Sequence, residues 1–136
     1  MSLNKILLVV CCIIIIIISL PLFVTHPDCD VKQINSKYQF LYFPESHLCY
    51  INEKKDMNGY VFRGNIEYFG ISNVDKKLYC LVKKIASIEK DGWYSLDLST
   101  DAIEFVKEAN FDKSEFGKLY NIEIINVHTY FGDAVR

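Results

Sequence analysis

Nineteen consecutive residues without a charge, Ile6 to Val24, constrain this chain more than any other feature. At about 1.5 Å rise per residue, a helix of that length reaches roughly 28 Å, close to the ~30 Å hydrocarbon core of a bilayer. Its centre, Ile13–Ile18, is unbroken isoleucine and has no polar face. A β-branched run is a poor helix former in water, but lipid forces backbone groups to pair internally. A helix buried in a soluble core is the alternative, and the rest of a 136-residue chain could hardly wrap it on all sides. A cleaved signal peptide is disfavoured as well. The run exceeds the roughly 7–15 residues of a signal core, and only Ser19-Leu20-Pro21 approaches a cleavage motif. The expected organisation is an N-terminal flank (1–5), a transmembrane helix (6–24), a tether (25–36) and a β-rich globular domain (37–136). Lys5 on the short N-terminal flank favours a cytoplasmic N-terminus and an extracytoplasmic domain.

Beyond the anchor, 14 basic residues face 17 acidic ones, a net charge of −3. That balance argues against a nucleic-acid partner, whose phosphates attract basic surfaces. The charge is also uneven. Thr25–Lys90 carries +2 and Asp91–Arg136 carries −5. An ordinary solvated surface accounts for this, and so does an acidic face for a basic partner.

The domain alternates with period two. Tyr38–Phe43 reads as a strand stopped by Pro44, which lacks a ladder donor, and Leu48–Ile51 as a second. Asn58-Gly59 is a hairpin signal. Tyr60–Ser72 follows as one long or bulged strand, with Gly64 or Gly70 as its irregularity. In Lys77–Ile88, Leu78, Cys80 and Val82 share one face while Tyr79 and Leu81 share the other, which predicts burial on both sides. Asp91-Gly92 reads as a turn, and Trp93–Leu98 alternates with Tyr94, Leu96 and Leu98 on one face. Asp101 and Glu104 form a capping-box pattern for a helix at Ala102–Ala109, but Ile103, Phe105 and Val106 suit a strand better. Asp112 and Glu115 open a helix through Tyr120, and Ile122–Phe131 reads as the last strand. The expected fold is an N-terminal transmembrane helix plus a small, mainly antiparallel β (α+β) domain.

No constellation here designates an active centre. Cys11 and Cys12 lie in the apolar run, leaving Cys29, Cys49 and Cys80 for one possible disulfide, or for burial as small apolar residues. His47 and Cys49 share a side of a strand, and His128 could join them, but a structural zinc site shows paired ligands in two places. The expectation is no metal and no cofactor. Ser87 and Lys90 match S-x-x-K without the helical context that a Ser–Lys dyad needs. What remains is aromatic content: nine Tyr, nine Phe and one Trp, all but Phe23 beyond the anchor and too many for deep burial in so small a domain. Partly exposed aromatic rings favour recognition surfaces, since they bring large area with few rotors.

Asp91-Gly92-Trp93-Tyr94-Ser95-Leu96-Asp97-Leu98-Ser99-Thr100, with Phe105 and then Glu115-Phe116, resembles a pattern in small membrane-anchored bacterial proteins. Some of those are encoded beside secreted toxins as their inhibitors. The resemblance spans a short part of the domain and implies no catalytic residue. The sequence thus reads as a membrane-anchored, extracytoplasmic module that binds a protein partner and is not an enzyme, such as an immunity protein or an accessory subunit of an envelope complex. Its candidate binding residues are Trp93, Asp97, Asp101, Glu104 and Glu108. The alternative is a membrane-bound hydrolase with an unrecognised site.

Overall fold

Alternating apolar positions rich in aromatic and β-branched residues bury one face per strand, so strands of this kind are stable only when stacked in layers. The computed structural model describes residues 2–24, 29–83 and 89–132, with the side chains of 15–24, 57 and 58 outside that description. Among the described residues it contains helix α1 (Leu3–Val24) and nine strands. The strands are β1 (Asp30–Gln33), β2 (Tyr38–Phe43), β3 (Leu48–Glu53), β4 (Asp56–Tyr60), β5 (Asn65–Ser72), β6 (Lys77–Lys83), β7 (Gly92–Asp97), β8 (Ile103–Glu108) and β9 (Ile125–Asn126). Helix α2 covers Lys113–Tyr120, and α3 is a single turn, Val127–Tyr130. The strands form two antiparallel sheets in the orders β1-β2-β3-β4 and β8-β7-β6-β5-β9. The result is a small antiparallel α+β domain.

The two sheets enclose one core: Tyr38, Phe40 and Tyr42 from β2, Cys49 and Ile51 from β3, and Leu78, Cys80 and Val82 from β6. The opposite face of β6 carries Tyr79 and Leu81, which pack with Trp93 and Phe116 beneath α2. Strand β6 is therefore buried on both sides, as its double alternation predicts. Helix α2 starts where the sequence places it. Asp112 Oδ1 accepts the Glu115 N–H at 3.0 Å, and Asn121 closes the helix in the left-handed region at φ 52°. Ile103–Glu108 is a strand, paired antiparallel with β7.

Five expectations are corrected. Strand β1 lies within the stretch read as a tether, of which 25–28 lies outside the described residues. The β3–β4 hairpin turns at Lys54-Lys55, so Asn58-Gly59 falls inside β4. There the register jumps from Glu53↔Asp56 to Asn52↔Tyr60, and the permissive pair serves that irregularity rather than the turn. Tyr60–Ser72 is not one strand: residues 61–64 carry the chain from one sheet to the other, and the β5 bulge falls between Ile66 and Tyr68. Gly92 is not a turn residue but the first of β7, where a Cβ would meet Lys107 O at 2.7 Å. Ile122–Phe131 pairs only at Ile125–Asn126, because Asn126 Oδ1 accepts the Thr129 N–H at 3.1 Å and starts α3 instead.

Helix α1 has 22 residues, and all its described side chains, Leu3 to Ile14, are exposed. Among the described residues no helix is long and apolar enough to cross a membrane. The apolar side chains from 15 to 24 lie outside that description.

Candidate functional site

The candidate residues read from sequence do not assemble into one surface. Trp93 is fully buried, stacked on Phe116 with ring centroids 4.1 Å apart, so it is a core residue and not an exposed anchor. Its indole N–H has no hydrogen-bond partner among the described residues. Asp97 holds the β7–β8 turn. Its Oδ1 accepts the Ser99 hydroxyl at 2.6 Å and the backbone N–H groups of Ser99 and Thr100 at 2.9 and 3.1 Å. Those bonds, the Ser99 hydroxyl first, pull its carboxyl down to about 2. Asp101, at φ 65°, accepts Lys37 Nζ at 2.7 Å and the Tyr38 hydroxyl at 2.8 Å, clasping the β7–β8 turn to β2. Burial, then that bond to Asp101, pushes Tyr38 up to about 12.

Glu104 and Glu108 remain exposed on β8, but they do not share a face. The register places Glu104 opposite Ser95 and Glu108 opposite Gly92, with a shift between Trp93 and Tyr94. Ser95 and Gly92 are three residues apart on an alternating strand, so they point to opposite sides. Val106 takes up the shift, so the two carboxylates leave β8 on opposite sides.

A different surface emerges from the tyrosines and phenylalanines. On the outer face of the four-stranded sheet, Phe43 and Tyr50 lie 6.0 Å apart and Tyr50 and Tyr60 lie 5.0 Å apart, centroid to centroid. At the margin of the five-stranded sheet, Phe62, Tyr94 and Phe105 continue at 5.8 and 5.4 Å. Two adjoining concavities run along this strip and share Tyr60, Phe62 and Arg63. The first is lined by Phe43, Leu48 and Tyr50, the second by Val61, Tyr94 and Ile103. Tyr60, Ile103 and Phe105 are 41%, 47% and 38% exposed. Lys90 Nζ sits 4.5 Å above the Phe105 ring and pairs with Glu108 Oε1 at 3.2 Å, so Lys90 and Glu108 cap one end of the strip. Burial, the nearby Tyr60 and Cys49 raise the Tyr50 hydroxyl above its ordinary range. The sequence signal for this strip is its tyrosine content. What no local pattern announces is that Tyr60 of β4 and Ile103 of β8 line one concavity.

The polar candidates sort clearly. Cys49 and Cys80 are buried in the core between the sheets, where they pack as small apolar residues. Burial pushes Cys49 up to about 12 and raises Cys80 well above its ordinary value, which leaves both inert as nucleophiles. Ser87 lies outside the described residues. His47 and His128 do meet, with ring centroids 5.7 Å apart, and Cys49 turns away from them into the core. Neither a protein-family model, nor a curated protein, nor a solved structure matches this chain.

Proposed function

We propose that this chain is a single-pass, membrane-anchored extracytoplasmic module that binds a protein partner through the aromatic strip from Phe43 to Phe105. An immunity protein or an accessory subunit of an envelope complex is the form such a module takes. The observation that carries the reading is the strip itself: rings from both sheets, part-exposed apart from the buried Phe62 that joins them, in contiguous concavities with Arg63 between them. Tyrosine and arginine near the centre of an interface are enriched among the residues that carry its binding energy, and phenylalanine is enriched at interfaces too. The anchor reading rests on the uncharged run 6–24 of the sequence. Exposed Leu and Ile side chains along Leu3–Ile14 would be a costly surface in water and an ordinary one in lipid. Lys5 at the N-terminal flank favours a cytoplasmic start.

Site-specific photo-crosslinking in the native host tests both parts. A photoreactive phenylalanine at Tyr60 should give one discrete protein adduct, whereas the same residue at Val74, 87% exposed on the β5–β6 turn, should give none. Equal labelling from both positions would overturn the strip as the binding surface. A C-terminal reporter active only in the cytoplasm would overturn the orientation.

A further inference from the structure

We propose that His47, His128 and Tyr42 form a binding site for one divalent transition-metal ion of borderline hardness, such as zinc. Three separate segments bring these side chains together. Tyr42, near the end of β2, stacks on Phe131 at 4.8 Å with 18° between the planes, which fixes its phenol. His47 ends the β2–β3 turn at φ 57°, in the left-handed region where histidine is enriched among non-glycine residues. His128 follows the Asn126 cap on α3.

The two Nδ1 atoms converge on one oxygen. His128 Nδ1 lies 2.9 Å from the Tyr42 hydroxyl and His47 Nδ1 lies 3.5 Å from it. A phenol has one proton, so it donates to one ring nitrogen at most. The other nitrogen must carry its own proton to bond the same oxygen. An ion would use the lone pairs of both nitrogens at once. With a metal–nitrogen bond of about 2.1 Å, two imidazoles on one tetrahedral ion hold their centroids about 5–6 Å apart, and here the separation is 5.7 Å. Imidazole suits zinc, nickel and copper, the phenol oxygen is a third donor, and water completes the shell. His47 is exposed and His128 half-buried, so the site opens to solvent on the His47 side. Binding shifts a proton on a ligating Nδ1 to Nε2 of the same ring, and the proton that leaves is that of the phenol, as Tyr42 binds as phenolate.

Calorimetric titration of the full chain in detergent micelles with zinc chloride tests this. One saturable site is expected, with heat that varies with the buffer as protons leave. His47→Gln and His128→Gln should each weaken binding at least tenfold, Tyr42→Phe should release fewer protons, and His26→Gln should change nothing. His47 is an exposed turn residue, so its variant reports even if the substitutions at His128 or Tyr42 unfold the domain. Absence of saturable uptake, or unchanged affinity in a His47→Gln protein with wild-type melting temperature, would overturn the site. So would loss of binding in the His26 variant alone.

Discussion

The two sheets treat their outer faces differently. The five-stranded sheet is roofed by α2. Phe116 reaches down between Tyr79, Trp93 and Tyr120, with centroids 5.7, 4.1 and 4.6 Å away, and the small second core is closed. The four-stranded sheet has no such roof among the described residues. On its outer face Val31 and Tyr60 are exposed, Phe43, Leu48 and Tyr50 are half-buried, and Leu41 and Asn52 are buried beneath them. Side chains of similar type thus have opposite fates. An aromatic ring under a helix works for stability, and the same ring on an unroofed sheet is available to something else. The larger sheet can be expected to hold the fold and the smaller one to meet the partner.

The largest effect should come from removing the roof's keystone. Phe116→Ala leaves a cavity against Trp93 and should cost about 3–5 kcal/mol in urea unfolding, as large aromatic truncations do. A loss below about 1 kcal/mol would mean that the helix does not stabilise that face.

Alkali should attack the layer that both sheets share. Cys49 has its pKa raised from 9.0 to about 12 by burial. The unfolded chain loses that proton first, so stability is intact below pH 9 and falls as pH rises toward 12. Two pH units above the ordinary thiol value, the loss from this group is about 2–3 kcal/mol. Melting temperature followed from pH 8 to 11 should decline, and Cys49→Ala should flatten the decline. Equal slopes would break the assignment.

Asp112→Ala sharpens the comparison further, since it weakens the roof without touching the core. Loss of the bond to the Glu115 N–H should cost about 1 kcal/mol. Thermal unfolding would report it, and unchanged stability would show that packing alone holds α2.

The smallest stability effect is expected on the unroofed side. Tyr60→Ser should change unfolding free energy by no more than about 0.5 kcal/mol, as exposed substitutions do. It should nevertheless weaken partner binding, read as a lower yield of the protein adduct from a photoreactive phenylalanine placed at Tyr50 instead. A destabilisation comparable to that of Phe116→Ala would erase the difference between the faces.

Much of this architecture was legible. The double alternation of β6 announced a strand with cores on both sides. The Asp112–Glu115 spacing announced α2, and Ile103, Phe105 and Val106 favoured a strand over the capping pattern at Asp101. Failures came where two equally good local signals competed. Asn58-Gly59 suits a hairpin turn or a register jump, and β-sheet closure chose the latter. Ile122–Phe131 alternates like a strand, yet the Asn126 cap diverts it into a helical turn after two paired residues. Trp93 at a strand start could face out or in, and only the arrival of Phe116, 23 positions later, buries it. Asp97, Asp101, Glu104 and Glu108 read as one acidic face because they fall in the half of the chain that carries −5. A single bulge and two turn clasps dispersed them.

By itself the sequence determined the uncharged run at 6–24, the period of each strand and the cap of α2, because these depend on residues within a few positions of one another. Only the tertiary structure decided which aromatic rings are core and which are surface, since every strand has two faces and the roof over one sheet comes from far along the chain. The meeting of His47 and His128 at Tyr42, across 86 residues between the phenol and the second imidazole, is of the same kind. Long-range closure sets such contacts, and no local pattern encodes them.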